Sequence, residues 1–148
     1  NARLWRLGIS AMTAATVVTA PSETLFMRIG GEAGVTALVT SFVKALLSRD
    51  DVAELRALYL SRSLERYQIR LAEYLCGWLG GPALYQERHG LPMLREGHRN
   101  IPISRQLMVQ WCACMHDALE ATVADPALRL SLFGVFLRMA ESLVNQKD

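Results

Sequence analysis

Residues 77–88 read GWLGGPALYQER, and this stretch divides the chain. Its first six residues hold three glycines and a proline, a combination at which an α-helix ends. Helix breakers continue beyond it, at Pro82, Gly90, Pro92, Gly97 and Pro102. Because no long helix survives such a density of breakers, we expect residues 82–102 to separate the helical regions on either side.

Both sides of residues 82–102 show apolar residues at the three- and four-residue spacing of amphipathic helices. The helices predicted from this spacing, and from caps such as Asp125 before Pro126, cover residues 24–30, 32–47, 52–58, 64–75, 104–123 and 125–144. No segment shows the convincing period-two alternation that is typical of strands. The predicted fold class is therefore all-α, with pairs of long helices forming a sandwich.

Length and composition exclude several classes of protein. A chain of 148 residues fits one domain with a core large enough to enclose a ligand. The net charge is +2 and no basic run is interleaved with aromatic residues, which argues against nucleic-acid binding. No stretch reaches the ~18 apolar residues of a transmembrane helix, so we expect no membrane insertion.

The cysteines indicate a reducing compartment. Cys76, Cys112 and Cys114 form an odd, sparse set that does not resemble a disulfide framework. Cys112 and Cys114 are two residues apart on a predicted helix, so their side chains point to different sides. We expect them to be small buried apolar side chains, and we expect a cytoplasmic protein.

The first 22 residues differ from the rest of the chain. Arg3 and Arg6 precede a mildly apolar stretch that ends near Pro21, a loose match to a secretory signal peptide. The stretch is rich in Thr and Ser and poor in Leu, which favours an extra helix packed on the domain. We therefore divide the chain into an N-terminal extension, residues 1–22, and one domain, residues 23–148.

The functional indication comes from a series of motifs. IGGEAGV at residues 29–35 and GWLGGPALYQER at 77–88 are followed by Pro92, Leu94-Arg95, His98, IPIS at 101–104, Trp111 and Cys114-Met115. In residue type and spacing, this series resembles the group II truncated haemoglobins over about residues 24–146. The resemblance implies a two-over-two helical globin fold in the domain, and haem b as the cofactor.

The resemblance assigns His98 as the ligand of the haem iron. A neutral imidazole is the usual proximal ligand in globins, and a hydrogen bond from its other nitrogen fixes the tautomer. Without the surrounding motifs, His98 would be interpreted as a solvent-exposed loop histidine. The competitors are weaker, because His89 lies in a predicted surface loop and His116 points off the core face of its helix.

The resemblance also implies a ligand pocket on the other side of the haem. Trp111 would donate its indole N–H to a bound ligand, although a plain core tryptophan is the alternative. Tyr59 lies just before the predicted helix 64–75 and would stack near the haem. Tyr67 could gate the pocket, bond the ligand, bind ferric iron or be a half-exposed helix aromatic. Leu71, one turn later, would be an apolar wall.

Val43 departs from the family pattern. It stands where this group usually has a tyrosine that donates to the ligand, and valine cannot donate. The polar contacts are then left to Trp111, Tyr59 and Tyr67. We expect faster ligand dissociation unless these three compensate.

Haem is largely apolar, so we expect an apolar lining around it. The candidates for this lining are Phe42, Leu46, Leu71, Leu75, Leu79, Leu94 and Ile101. Arg70 is a candidate for a charge-assisted contact with a haem propionate. An ordinary solvated arginine is the alternative for Arg70.

The implied function is the binding of O₂ and other small ligands (NO, CO, anions) at a haem iron, with a reductase as a further partner. Several alternatives stay open from the sequence. One is a haem-dependent redox enzyme, peroxidase-like or acting on nitrogen oxides. Another is a gas sensor or interaction module, with residues 1–22 as a partner-binding or homodimer-forming helix. A last one is a relative that has lost haem, against which His98 and Trp111 argue.

Overall fold

The computed structural model describes residues 23–146 and contains no strand within them. Its helices are α1 Leu25–Arg28, α2 Gly31–Ser48, α3 Ala53–Leu60, α4 Leu64–Trp78, α5 Leu84–His89, α6 Leu94–Gly97, α7 Arg105–Thr122 and α8 Pro126–Ser142. The all-α prediction is confirmed. Between α4 and α7 lie the two short helices α5 and α6, as the density of breakers requires.

Helix ends follow the capping residues in the sequence. Thr24 Oγ1 accepts a hydrogen bond from the Met27 N–H at 3.2 Å and begins α1. Asp125 caps α8 by accepting from the Ala127 N–H at 3.0 Å. Helix α4 extends past its predicted end at residue 75 through Gly77, and the chain turns where Gly80 adopts a φ of +99°. Gly77 is tolerated because it lies in the last turn of the helix.

The four long helices form two layers. Helix α2 packs against α4, α7 packs against α8, and α2 crosses onto α7. The Phe136 ring on α8 joins the layers, with its centroid 5.2 Å from Trp78 on α4 and 6.0 Å from Trp111 on α7. The largest side chains that are completely buried are Phe42, Phe136, Leu38, Leu46, Leu75, Leu79, Met115, Leu119 and Leu132.

Two glycines of the sequence motifs are required by close packing. A Cβ on Gly34 would lie 1.8 Å from the Ile29 carbonyl oxygen, and a Cβ on Gly81 would lie 2.6 Å from the Phe26 ring. The Phe26 N–H also donates to the Leu79 carbonyl at 2.8 Å. These motif residues therefore hold α1 against the start of α2 and the end of α4, which is a contribution to the fold.

Two sequence predictions can be compared directly with the core. Cys76, Cys112 and Cys114 are buried and free, as expected. Cys114 lies in the main core, whereas Cys112 packs with Met108 and Ala140 in a second cluster, so the two point to different sides.

Within residues 23–146, no helix is long and apolar enough to cross a bilayer. The extra N-terminal helix predicted for residues 1–22 lies outside the described residues.

Candidate functional site

Four aromatic side chains, each from a different helix, meet in what we call the aromatic cluster. Its members are Phe42 on α2, Tyr59 on α3, Tyr67 on α4 and Trp111 on α7. The ring centroids of Tyr59 and Tyr67 are 4.2 Å apart, and those of Phe42 and Trp111 are 5.4 Å apart. Phe42 is completely buried and the other three are half-buried. The cluster therefore has one side in the core and one accessible side.

A hydrogen bond orders the polar groups of the aromatic cluster. The Trp111 indole N–H donates to the Tyr67 hydroxyl oxygen at 3.0 Å. Burial raises the pKa of Tyr67 above its ordinary value, and burial and the neighbouring Tyr67 phenol raise the pKa of Tyr59 well above it. Both phenols are therefore neutral at physiological pH. Tyr67 accepts from Trp111 and keeps its own O–H as a donor.

Gln110 fixes the helix that carries Tyr59. It is buried on α7, and its Oε1 accepts a hydrogen bond from the Leu55 N–H in the first turn of α3 at 2.9 Å. The first N–H groups of a helix have no partner within the helix, so Gln110 acts as a cap supplied by a different helix. Gln110 thus fixes the start of the helix on which Tyr59 lies.

The second group of candidate residues lies in residues 94–103, which we call the histidine segment. His98 is half-buried, and its Nδ1 lies 2.6 Å from the Leu94 carbonyl oxygen. A carbonyl can only accept, so Nδ1 carries the hydrogen and Nε2 of the neutral ring keeps a lone pair. No residue within 23–146 hydrogen-bonds Nε2. This tautomer is the one that binds a metal through Nε2.

The other two histidines have carboxylate partners. His89 Nε2 lies 3.0 Å from Oε1 of the buried Glu73, whose Oε2 accepts from Arg88 at 2.6 Å. His89 is exposed, as predicted, but it ends α5 instead of lying in a loop, and it ties that helix to α4. The hydrogen bond from Arg88, followed by that from His89, lowers the pKa of Glu73. His116 is exposed and lies 3.6 Å from a Glu120 carboxylate oxygen.

The remaining predicted site residues fall into three groups by exposure. Val43, Leu94 and Ile101 are half-buried and so have surface that a cofactor can cover. Completely or nearly completely buried in the core are Leu46, Leu71, Leu75 and Leu79. Arg70 is exposed and, within residues 23–146, makes no hydrogen bond or ion pair. Its contact with a propionate stays a prediction.

Three residues near the site were missed by sequence reasoning: Gln110, Glu73 and Asn145. Gln110 and Glu73 are polar residues that lie buried on helices, and no spacing in the sequence marks their partners. Asn145 follows α8, and its side chain hydrogen-bonds residues of the histidine segment. In the sequence, the only feature that distinguishes Asn145 is its position beyond the helical periodicity of α8.

With this geometry established, the relatives of the chain can be identified. A family model described as bacterial-like globin matches residues 24–145. A group II 2-on-2 haemoglobin from Agrobacterium tumefaciens superposes with a TM-score of 0.81 at 33% identity, over 85% of this chain and 97% of that one. The chain belongs to the bacterial-like globins, in their group II two-on-two branch.

Two further relatives support the assignment of this chain to the globin family. A cold-adapted truncated haemoglobin from Pseudoalteromonas haloplanktis TAC125 superposes with a TM-score of 0.76 at 35% identity, over 84% of this chain and 100% of that one. The group 2 truncated haemoglobin YjbI of Bacillus subtilis is 40% identical over 76 residues, which are 51% of this chain and 58% of the relative. The matched region thus spans about half the length of the curated relatives.

Membership in the globin family implies haem binding, and globins bind diatomic gases. The side chains of this globin fit the cofactor. His98 offers a neutral imidazole nitrogen with a free lone pair, and the aromatic cluster offers half-buried apolar surface beside a phenolic O–H. His98, Val43, Leu94 and Ile101 are the accessible residues suited to hold it.

Proposed function

We propose that this globin binds haem b through His98 and binds O₂, NO, CO or small anions beside the aromatic cluster. The single observation that carries the proposal is the hydrogen bond of 2.6 Å between His98 Nδ1 and the Leu94 carbonyl. It directs the lone pair of the ring to Nε2, and neither His89 nor His116 has such a carbonyl partner. The haem would supply reversible coordination of a diatomic ligand, which the protein tunes.

The residues of the aromatic cluster would tune that binding through phenolic donors. Trp111 gives its N–H to the Tyr67 oxygen, so the hydrogens available for a ligand are the O–H groups of Tyr67 and Tyr59, and Trp111 orients that of Tyr67. This arrangement assigns Tyr67 the donor role that Val43 cannot fill. Burial raises the pKa of the Tyr67 phenol, so the side chain offers a neutral O–H as a hydrogen-bond donor. The Tyr59 ring, tilted against that of Tyr67 at a centroid distance of 4.2 Å, restricts the Tyr67 ring.

The wider physiological setting follows from the same proposal. We infer oxygen binding and transport, with a reductase that returns the iron to its ferrous state. The three buried free cysteines support a reducing, cytoplasmic setting. A homodimer formed through residues 1–22 is a further part of the proposal, and deletion of residues 1–21 should then change the oligomeric state without moving the haem spectrum.

A second candidate function is redox chemistry at the haem, peroxidase-like or acting on nitrogen oxides. The observation that favours it is the meeting of two phenols and an indole N–H in the aromatic cluster. Polar donors of this kind can hydrogen-bond reacting oxygen atoms. Steady turnover of peroxide or nitrite by the haem-loaded protein would favour this candidate over simple ligand binding.

The test of the proposed function is the visible spectrum of the haem-loaded protein, reduced and exposed to CO, beside His98→Ala. The parent should show a strong Soret band that shifts with CO, and the variant should lose or strongly alter that band. His116→Ala is the matched control, because His116 is an exposed histidine on α7, and it should match the parent. An unaltered spectrum in His98→Ala would contradict the assignment of the iron ligand.

A further inference from the structure

The histidine segment is only partly packed, because Leu94 and Ile103 contact the core but stay half-buried. Its helix α6 has four residues, none of them buried. Helices this short are not stable by themselves, because each must fix several residues for its first hydrogen bond. The position of His98 must therefore depend on contacts from elsewhere in the fold.

Asn145, three residues after the end of α8, supplies such contacts. Its side-chain Nδ2 donates to the His98 carbonyl at 3.2 Å and to the Ile101 carbonyl at 2.9 Å. Its Oδ1 accepts from the Ile103 N–H at 2.8 Å, and its own N–H donates to the Ile103 carbonyl at 3.0 Å. Both N–H groups and the oxygen of the amide are thus used on one short stretch.

These hydrogen bonds connect the segment to the layer that carries Trp111. Asn145 follows α8, and α8 packs on α7, which holds Trp111 of the aromatic cluster. The Leu94 carbonyl orients the His98 ring from within the segment. Asn145 instead fixes where the His98 backbone lies relative to α8.

We propose that Asn145 is a positioning residue for His98, holding the iron ligand in place relative to the aromatic cluster. This inference rests on the proposed function, since it assumes that His98 binds the iron. Asn145 is exposed, so water competes for its hydrogen bonds and the helices do not depend on it for their packing. Its loss should therefore loosen the ligand and leave the helical fold intact.

The experiment compares Asn145→Ala and Asn145→Asp in the haem-loaded full chain. Alanine removes every side-chain contact, whereas aspartate keeps the acceptor for Ile103 and loses the donor to His98 and Ile101. The readouts are the iron–histidine stretching band in resonance Raman spectra of the reduced protein and the rate of haem release to an apomyoglobin scavenger. Gln146→Ala is the matched control, because Gln146 is the exposed neighbour and keeps its backbone bond to Ile103. It removes only a long contact of 3.4 Å to Asn145 Oδ1, and leaves the Asn145 donor to His98 and Ile101 in place.

We expect both Asn145 variants to shift or broaden the iron–histidine band and to release haem about fivefold faster, the equivalent of one net hydrogen bond. Gln146→Ala should match the parent. A parent-like band and release rate in Asn145→Ala would overturn the proposal. Equal changes in all three variants would also overturn it, since the effect would then not be specific to the amide.

Two further measurements distinguish the positioning role of Asn145 from a purely structural role and from the proposed function itself. Loss of helical circular dichroism in both Asn145 variants would make Asn145 a structural anchor and overturn the positioning role. His98→Ala is measured in parallel. If it keeps the iron–histidine band of the parent, the proposed function fails. If it loses that band while the Asn145 variants behave as the parent, only the inference about Asn145 fails.

Discussion

The aromatic cluster and the histidine segment differ in what holds them. The cluster is built on the long helices α2, α4 and α7 and on the shorter α3, with Phe42 completely buried at its centre. The histidine segment contains one short helix without a buried residue, and only half-buried side chains such as Leu94 and Ile103 pack it against the core. The Leu94 carbonyl accepts from the His98 ring, and the Asn145 side chain donates to the His98 carbonyl. Packing thus dominates in the cluster, whereas directed polar contacts add to partial packing around the proposed iron ligand.

The largest effect that would test this difference is expected at Phe42. Phe42→Ala should lower the free energy of unfolding by about 3–5 kcal/mol, because it leaves a cavity where α2 meets α4 and α7. Leu94→Ala, at a half-buried position of the histidine segment, should lower the free energy of unfolding by clearly less. Urea unfolding followed by circular dichroism measures both, with exposed Leu91→Ala as the control, expected within about 0.5 kcal/mol of the parent. Equal losses of unfolding free energy in Phe42→Ala and Leu94→Ala would contradict the difference between the cluster and the histidine segment.

The next effect is expected at Gln110, where the aromatic cluster itself depends on a polar contact. Gln110→Ala should lower the free energy of unfolding by about 1–3 kcal/mol, because the Leu55 N–H loses its buried acceptor. Gln106→Ala, at an exposed position of the same helix, is the matched control and should be neutral. The same urea titrations measure the free energy of unfolding of both variants. A neutral Gln110→Ala would mean that α3 and Tyr59 are held by packing alone.

A smaller effect is expected when the donor of the aromatic cluster is removed. Tyr67→Phe should speed ligand dissociation about fivefold, the equivalent of one hydrogen bond of about 1 kcal/mol. Stopped-flow displacement of O₂ by CO measures the rate. Tyr85→Phe is the control, because Tyr85 packs beside Tyr74 outside the cluster. An unchanged rate in Tyr67→Phe would return the donor role to Trp111.

The smallest effect is expected at Glu73, which ties α5 to α4. Hydrogen bonds from Arg88 and then His89 lower its pKa, so the carboxylate stabilises the fold above the ordinary glutamate pKa of about 4.3. That contribution is lost as the pH falls from about 4.3 through the lowered pKa. Glu73→Gln should therefore show a shallower fall in stability over this acid range in urea titrations at several pH values. Parallel pH profiles for parent and variant would be evidence against a coupled carboxylate.

The long helices were predictable because their cores repeat at a local spacing. Val35, Leu38 and Phe42 mark α2 in the sequence, and their burial in the structure follows that pattern. Caps such as Thr24 and Asp125 mark helix ends in the same local way. The helix pattern also suggested a sandwich of helix pairs. The meeting of Tyr59, Tyr67 and Trp111 came from the resemblance to the family, since spacing along one chain does not determine which helices touch.

The polar contacts around the site were not predictable from the sequence. Glu73 and Arg88 are fifteen residues apart, and Asn145 and His98 are forty-seven residues apart. A single sequence carries no periodic signal for such pairs, because each depends on how distant elements pack. The sequence shows that Val43 replaces a tyrosine. It does not show that Trp111 orients Tyr67, which only the hydrogen bond between their side chains in the structure reveals.

The most direct measurement is the anomalous scattering of iron in crystals of the haem-loaded full chain. If the proposal holds, His98 Nε2 would hold the iron and the Tyr67 O–H would be available to a bound ligand. An anomalous peak bonded to His98 Nε2 is the predicted result. A peak beside the Tyr67 hydroxyl oxygen or beside His89, with His98 Nε2 unbonded, would contradict the assignment of the iron ligand.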